Sequence, residues 1–129
     1  MNKNFVTESV ELVKDIISVV VVNLQDEMER QIIAAYIFGM LHAKAIQESV
    51  SPLEVQAIMI RIGIEELGYS PDAATQMTQF VIDATDREFH PTVNAIIHRG
   101  IEAFRFYVEG ETDLLKEDFD SILKAIREN

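Results

Sequence analysis

The sequence contains no cysteine. That removes a disulfide framework, a thiolate metal site and cysteine catalysis, and it fits a reducing compartment. Basic residues are scarce: 11 lysines and arginines stand against 22 acids, a formal charge of −11. A chain so charged is repelled by DNA and RNA phosphates and by an anionic leaflet, so direct nucleic-acid and membrane binding are not expected. Long apolar runs are missing as well. The most apolar stretch, Ile16 to Val22, is interrupted by Ser18 and falls far short of the ~20 residues that cross a bilayer. Glu8, Glu11, Lys14 and Asp15 break what would have to be the apolar core of a signal peptide, so a cytoplasmic protein is expected.

Minimal catalytic machinery is absent too. There is no Gly-x-Ser-x-Gly, no Walker loop and no Gly-x-Gly-x-x-Gly, which leaves nucleophilic hydrolysis and nucleotide binding without their usual signatures. None of His42, His90 and His98 lies in the Glu-x-x-His or His-Glu-x-x-His spacing that gathers metal ligands on one helix face. The stretch Asp83 to Asn94 begins like a calcium loop but has neither the glycine nor the glutamate such a loop requires. Asp86 and His90, four apart, read better as a helix-start turn before Pro91 than as a catalytic pair. No catalytic residue, metal ligand or cofactor is assigned.

What is present is an apolar chain, 48% of 129 residues, with few but well-placed prolines and glycines. This length makes one domain, residues 1–129, with a core burying roughly two thirds of the unfolded surface. Ser51-Pro52 and Ser70-Pro71 read as N-caps with proline at the first helical position, and Glu54 completes capping-box spacing after Ser51. Pro91 marks a third start, while Gly68 and Gly110 close apolar stretches as left-handed caps do. Three further glycines, Gly39, Gly63 and Gly100, fall inside helices, where each costs about 1 kcal/mol, and close helix approach is the expected reason.

Apolar spacing near 3.6 predicts six helices. The first, about Asn4 to Asn23, carries Val6, Val10, Val13, Ile17, Val20 and Leu24 on one stripe; the β-branched run Val19 to Val22 leaves a buried strand as the alternative. The second, about Leu24 to Ser49, is apolar all round from Ile32 to Ala43, as a central bundle helix is. The others run from about Pro52 to Leu67, Pro71 to Thr85, Pro91 to Glu109, and Asp113 to Glu128 behind Thr112 as cap. The last packs through Leu115, Phe119, Ile122, Leu123 and Ile126. The fold class is all-α, a single-domain bundle.

Surface then carries the functional question. Between Glu109 and Asp120 lie six acids, Glu109, Glu111, Asp113, Glu117, Asp118 and Asp120, against Lys116 alone. Two readings stay open: a solvated face laced by Lys116–Asp120 and Asp120–Lys124 pairs, or a docking surface for a basic partner. Asp83, Asp86 and Glu88 are candidates for the same surface. Phe106 projects opposite the Ile97 and Phe104 stripe and is expected to be buried by a second covering element rather than exposed as an anchor. His98 is expected at the edge of the core with its polar atoms satisfied, and Met28, Met40, Met59 and Met77 as core filler.

Three segments also carry a resemblance: AYIFGMLHA at 35–43, SPLEVQA at 51–57, and VNAIIHRGI at 93–101 with its distinctive His98-Arg99-Gly100. Over about residues 30 to 105 the chain resembles an all-α immunity-protein family of bacterial polymorphic toxin systems, the immunity protein 48 type. The resemblance implies a non-enzymatic protein that binds and neutralises a cognate toxin domain, basic nucleases being one class of such toxins. It supplies no catalytic residues. The rival from composition and pattern is a small helical adaptor or a homo-oligomeric structural protein with no toxin partner, the apolar faces of helices two and five leaving room for a homodimer interface, and a further rival is an enzyme acting through its carboxylates.

Overall fold

A computed structural model describes residues 3–128 of the chain, and among these residues there are six helices and no strand. They are α1 (Lys3–Val19), α2 (Glu27–Glu48), α3 (Pro52–Glu65), α4 (Pro71–Asp83), α5 (Pro91–Val108) and α6 (Thr112–Arg127). The all-α expectation holds. No helix among the described residues is long and apolar enough to cross a membrane.

The predicted starts at Ser51 and Ser70 are real caps, their hydroxyls accepting from Glu54 N at 3.4 Å and Ala73 N at 3.2 Å. His90 caps α5 in an unusual way, its Nδ1 accepting from Val93 N at 3.1 Å, which is what the helix-start reading of this turn requires. Gly68 and Gly110 take positive φ of 83° and 72°. Two ends differ from expectation. α2 starts at Glu27 rather than Leu24 because the Asp26 carboxylate accepts from Glu29 N at 3.0 Å, a stronger cap than anything upstream. Thr112 is not the cap of α6 but its first residue, and Glu111 at the cap makes no side-chain bond.

α1 centres its buried face beside the valine stripe rather than on it, keeping Val13 and Val20 of that stripe buried. Phe5, Ser9, Leu12, Val13 and Ile16 are buried, whereas Val6, Val10 and Ile17 are only half-buried. The two stripes lie about 100° apart, and rotating phenylalanine, leucine and isoleucine inward removes more apolar area from water than burying valines would. The helix ends at Val19 and the chain then continues irregularly to Asn23, so the β-branched run is neither full helix nor strand.

α2 occupies the middle of the bundle, as its all-round apolar character predicts: every residue from Ile32 to Leu41 is buried. Its main partner is α5, and the two cross at glycines. A Cβ on Gly39 would fall on the Ile97 carbonyl oxygen and within 2.9 Å of Ile101 N. One on Gly100 would fall on the Tyr36 carbonyl oxygen and 3.2 Å from the Gly39 Cα. Only hydrogen at both positions lets the backbones touch. α3 and α4 pack as a pair, with Gly63 against Met77 and Ala74, and α6 lies against α5 and α1.

Candidate partner-binding surface

The inward face of α6 is fixed by Leu115, Phe119, Ile122 and Leu123, all buried. Helical geometry then forces Asp113, Glu117 and Asp120, spaced by four and three, to the outside, and all three are exposed. Glu109 and Glu111 in the preceding turn are exposed too. The lacing expected along this face does not form: among the described residues Asp120 pairs with neither Lys116 nor Lys124. The face therefore carries an excess of negative charge, with Lys116 and Lys124 nearby but in no direct ion pair with it.

Asp118 behaves differently from its neighbours. Its carboxylate accepts a hydrogen bond from the Tyr36 hydroxyl at 2.8 Å and an ion pair from Arg99, which also donates to Ser121 Oγ at 3.0 Å. Tyr36 is fully buried, edge-on to Phe119 with ring centroids 5.3 Å apart. Burial, reinforced by the bond to Asp118, holds the Tyr36 phenol well above the usual tyrosine range. Asp118 is thus an internal fastener joining α6 to α2 and α5 and is spent before any partner arrives. Sequence spacing alone had no means of separating it from Glu117.

The same network explains two thirds of the His98-Arg99-Gly100 segment. Arg99 holds Asp118, and Gly100 makes the α2 crossing. His98 corrects its expectation: it is exposed, with no hydrogen bond or ion pair among the described residues, because the crossing turns Ile97 and Gly100 inward and leaves position 98 outside. Met28 is likewise 39% exposed rather than core, whereas Met40, Met59 and Met77 are buried. Phe106 is half-buried and packs against the core cluster, short of the full burial expected.

Asp83, Asp86 and Glu88 are exposed, but the structure does not join them to the acids of α6. Asn94 Nδ2 ties the start of α5 to the carbonyls of Ala84 and Thr85 at 3.0 and 3.2 Å, so these acids sit at the amino-terminal end of α5. Glu109 and Glu111 sit at its other end, about 25 Å away along the helix. Between the two groups lies an apolar surface that sequence reasoning did not single out. Ile46, 68% exposed on the last turn of α2, separates two hollows. One, of about 300 Å³, is lined by Phe38, His42, Val50, Leu53, Val55 and Ile82. The other, of about 400 Å³, is lined by Ala43, Ile101, Phe104, Arg105, Val108 and Glu109.

No group of three or more metal-ligating side chains is gathered anywhere among the described residues. A family model, immunity protein 48, matches residues 5–127. The chain belongs to that family. The match extends well beyond the segments that carried the resemblance and takes in α1 and α6 with its acidic face. No curated protein and no solved structure matches the chain.

Proposed function

We propose that this immunity-family chain acts in the bacterial cytoplasm as a non-enzymatic inhibitor, binding a cognate toxin domain through its acidic surface and neutralising it by occupancy. Membership of the family, over nearly the whole chain, is the observation that carries the reading. The acid-rich outer face of α6 supports the acidic contact: Glu109, Glu111, Asp113, Glu117 and Asp120 are exposed and in no direct ion pair with lysine, on a chain of net charge −11. Such a face steers a basic partner into encounter and offers carboxylates to arginines that otherwise hold phosphates, which suits a basic nuclease toxin.

The test first seeks a toxin-like domain in the reading frames adjoining the gene for this chain, and purifies it. That domain is expected to bind the purified protein tightly and to be tolerated by cells only when the two are co-expressed. Reversing Glu117→Lys together with Asp120→Lys is expected to slow association about tenfold at low salt and to have little effect at high salt. An on-rate and affinity unchanged by the double reversal would take the interface off α6. A wild-type chain that neither binds nor protects against that toxin would overturn the functional reading itself.

A further inference from the structure

We infer that the exposed ridge at Ile46, with the hollow on either side of it, is the affinity-determining centre of the partner interface, and that it takes an apolar side chain from a segment of the toxin domain flanked by basic residues. This rests on the toxin-binding reading above. Ile46, 68% exposed at the end of α2, lines one hollow with Leu53, 77% exposed at the start of α3, and the other with Val108, 64% exposed at the end of α5. Isolated exposed aliphatics are ordinary, but a contiguous group bordering two concave apolar hollows is the form that binding hot spots take.

Charge at the two ends specifies the occupant. Glu109 lines one hollow directly. The other is lined by Ile82 and Thr85, which adjoin the exposed Asp83 and Asp86 in the chain. Of the nearby cations, Lys44 is committed. It is buried, paired with Glu48 and with Glu8 at 3.6 Å, and sits 5.1 Å from the Phe5 ring centroid. Arg105 is exposed and lines the same hollow as Glu109, its guanidinium 5.7 Å from the Phe106 ring centroid, and Arg87 is exposed between Asp86 and Glu88, so acids outnumber bases at each end. An apolar anchor with basic residues on both sides complements this arrangement, whereas an acidic segment meets repulsion at both ends. The two acid groups that fail to meet each other thereby become the two flanks of one surface, and Glu109 links it to the outer face of α6.

The experiment measures affinity of the purified neighbouring toxin domain for the wild-type chain and for Ile46→Lys, Ile46→Glu, Val108→Lys and Val21→Lys. All three sites are at least 64% exposed, so the four substitutions leave the core intact, and unchanged helical circular dichroism verifies it. Ile46→Lys is expected to weaken binding at least about thirtyfold and Val108→Lys about tenfold, with Val21→Lys, which lines neither hollow, unchanged. Ile46→Glu is expected to cost severalfold less than Ile46→Lys, since only the lysine opposes a basic-flanked segment. Equal losses for lysine and glutamate would overturn the basic-flanked chemistry. Full affinity in Ile46→Lys, in a chain whose Glu117/Asp120 reversal still slows binding, would overturn the ridge while leaving toxin binding standing. A concentration-dependent dimer of the free chain that Ile46→Lys dissolves would assign the face to a second copy instead, and wild type failing to bind the toxin domain overturns both readings.

Discussion

At Gly39 and Gly100 a single methyl group separates two outcomes. An alanine gains about 1 kcal/mol of helix propensity at each. Against that gain, the new Cβ strikes backbone, the Ile97 and Tyr36 carbonyls, and backbone in a packed helix pair has nowhere to go. Overpacking wins: Gly39→Ala and Gly100→Ala are each expected to destabilise by about 3 kcal/mol or more in urea unfolding. Gly63 is the internal comparison. Its Cβ would meet the tip of Met77 at 3.0 Å and the Ala74 methyl at 3.1 Å, and a methionine tip can swing aside. Gly63→Ala is expected to change stability by less than about 1 kcal/mol, the propensity gain offsetting the squeeze. All three glycines look alike in the sequence, and close approach was legible for all of them. Which approach is backbone on backbone was not, because that depends on the register at which α2 crosses α5.

The helices themselves were the most legible level. Serine-proline starts, positive-φ glycines and apolar periodicity are local signals, readable wherever local preference and global packing agree. They failed where a choice between adjacent faces is made by the rest of the bundle, as on α1, or where a rival cap lies within one turn, as at Asp26. How α6 is fastened is another element-scale property. Apolar contact through Leu115, Phe119, Ile122 and Leu123 is supplemented by two polar fasteners: Asp118 to Tyr36 and Arg99, and Arg127 to the buried Glu29. Asp118→Ala leaves the Tyr36 hydroxyl buried without an acceptor, while the half-exposed Arg99 is free to rehydrate. The expected cost is about 2 kcal/mol in chemical denaturation. Asp120→Ala, two residues on and with a side chain that makes no hydrogen bond or ion pair among the described residues, is expected to stay within about 0.5 kcal/mol. A similar loss for both would mean that Asp118 is not the fastener described.

Over the whole molecule, two tyrosines join helices distant in sequence: Tyr36 joins α2 to α6, and Tyr107 joins α5 to α1 through a 2.9 Å bond to Asp15. Burial, aided by Asp15, pushes the Tyr107 phenol up to about 12, and burial raises Tyr36 also. Below the ordinary tyrosine value of about 10 both phenols are neutral folded and unfolded, so their contribution is fully present. As pH climbs from about 10 toward 12 the unfolded chain loses these protons while the folded one keeps them, and stability falls. Urea midpoints at about pH 9 and about pH 11.5 are expected to show this decline, and Tyr107→Phe is expected to flatten part of it. An identical decline in Tyr107→Phe would assign the high-pH loss to other groups. The acidic excess acts at the same scale: nothing local balances −11, so the surface field favours basic partners.

The sequence by itself determined that the chain is helical, where most helices begin and end, that α2 is central, and that its surface is acidic. These follow from local conformational preference, from periodicity and from counting charge. Only the tertiary structure decided that Asp118 is withdrawn from the acidic face, that His98 is outside it, and that Asp83 and Asp86 stand apart from Glu109. It alone decided that Ile46, Leu53 and Val108 gather into one apolar surface between them. Each of these depends on which side chains from distant helices arrive at the same place. That is set by the depth and register of helix crossing at Gly39 and Gly100, a quantity carried by the packing of the whole bundle and by no single segment of it.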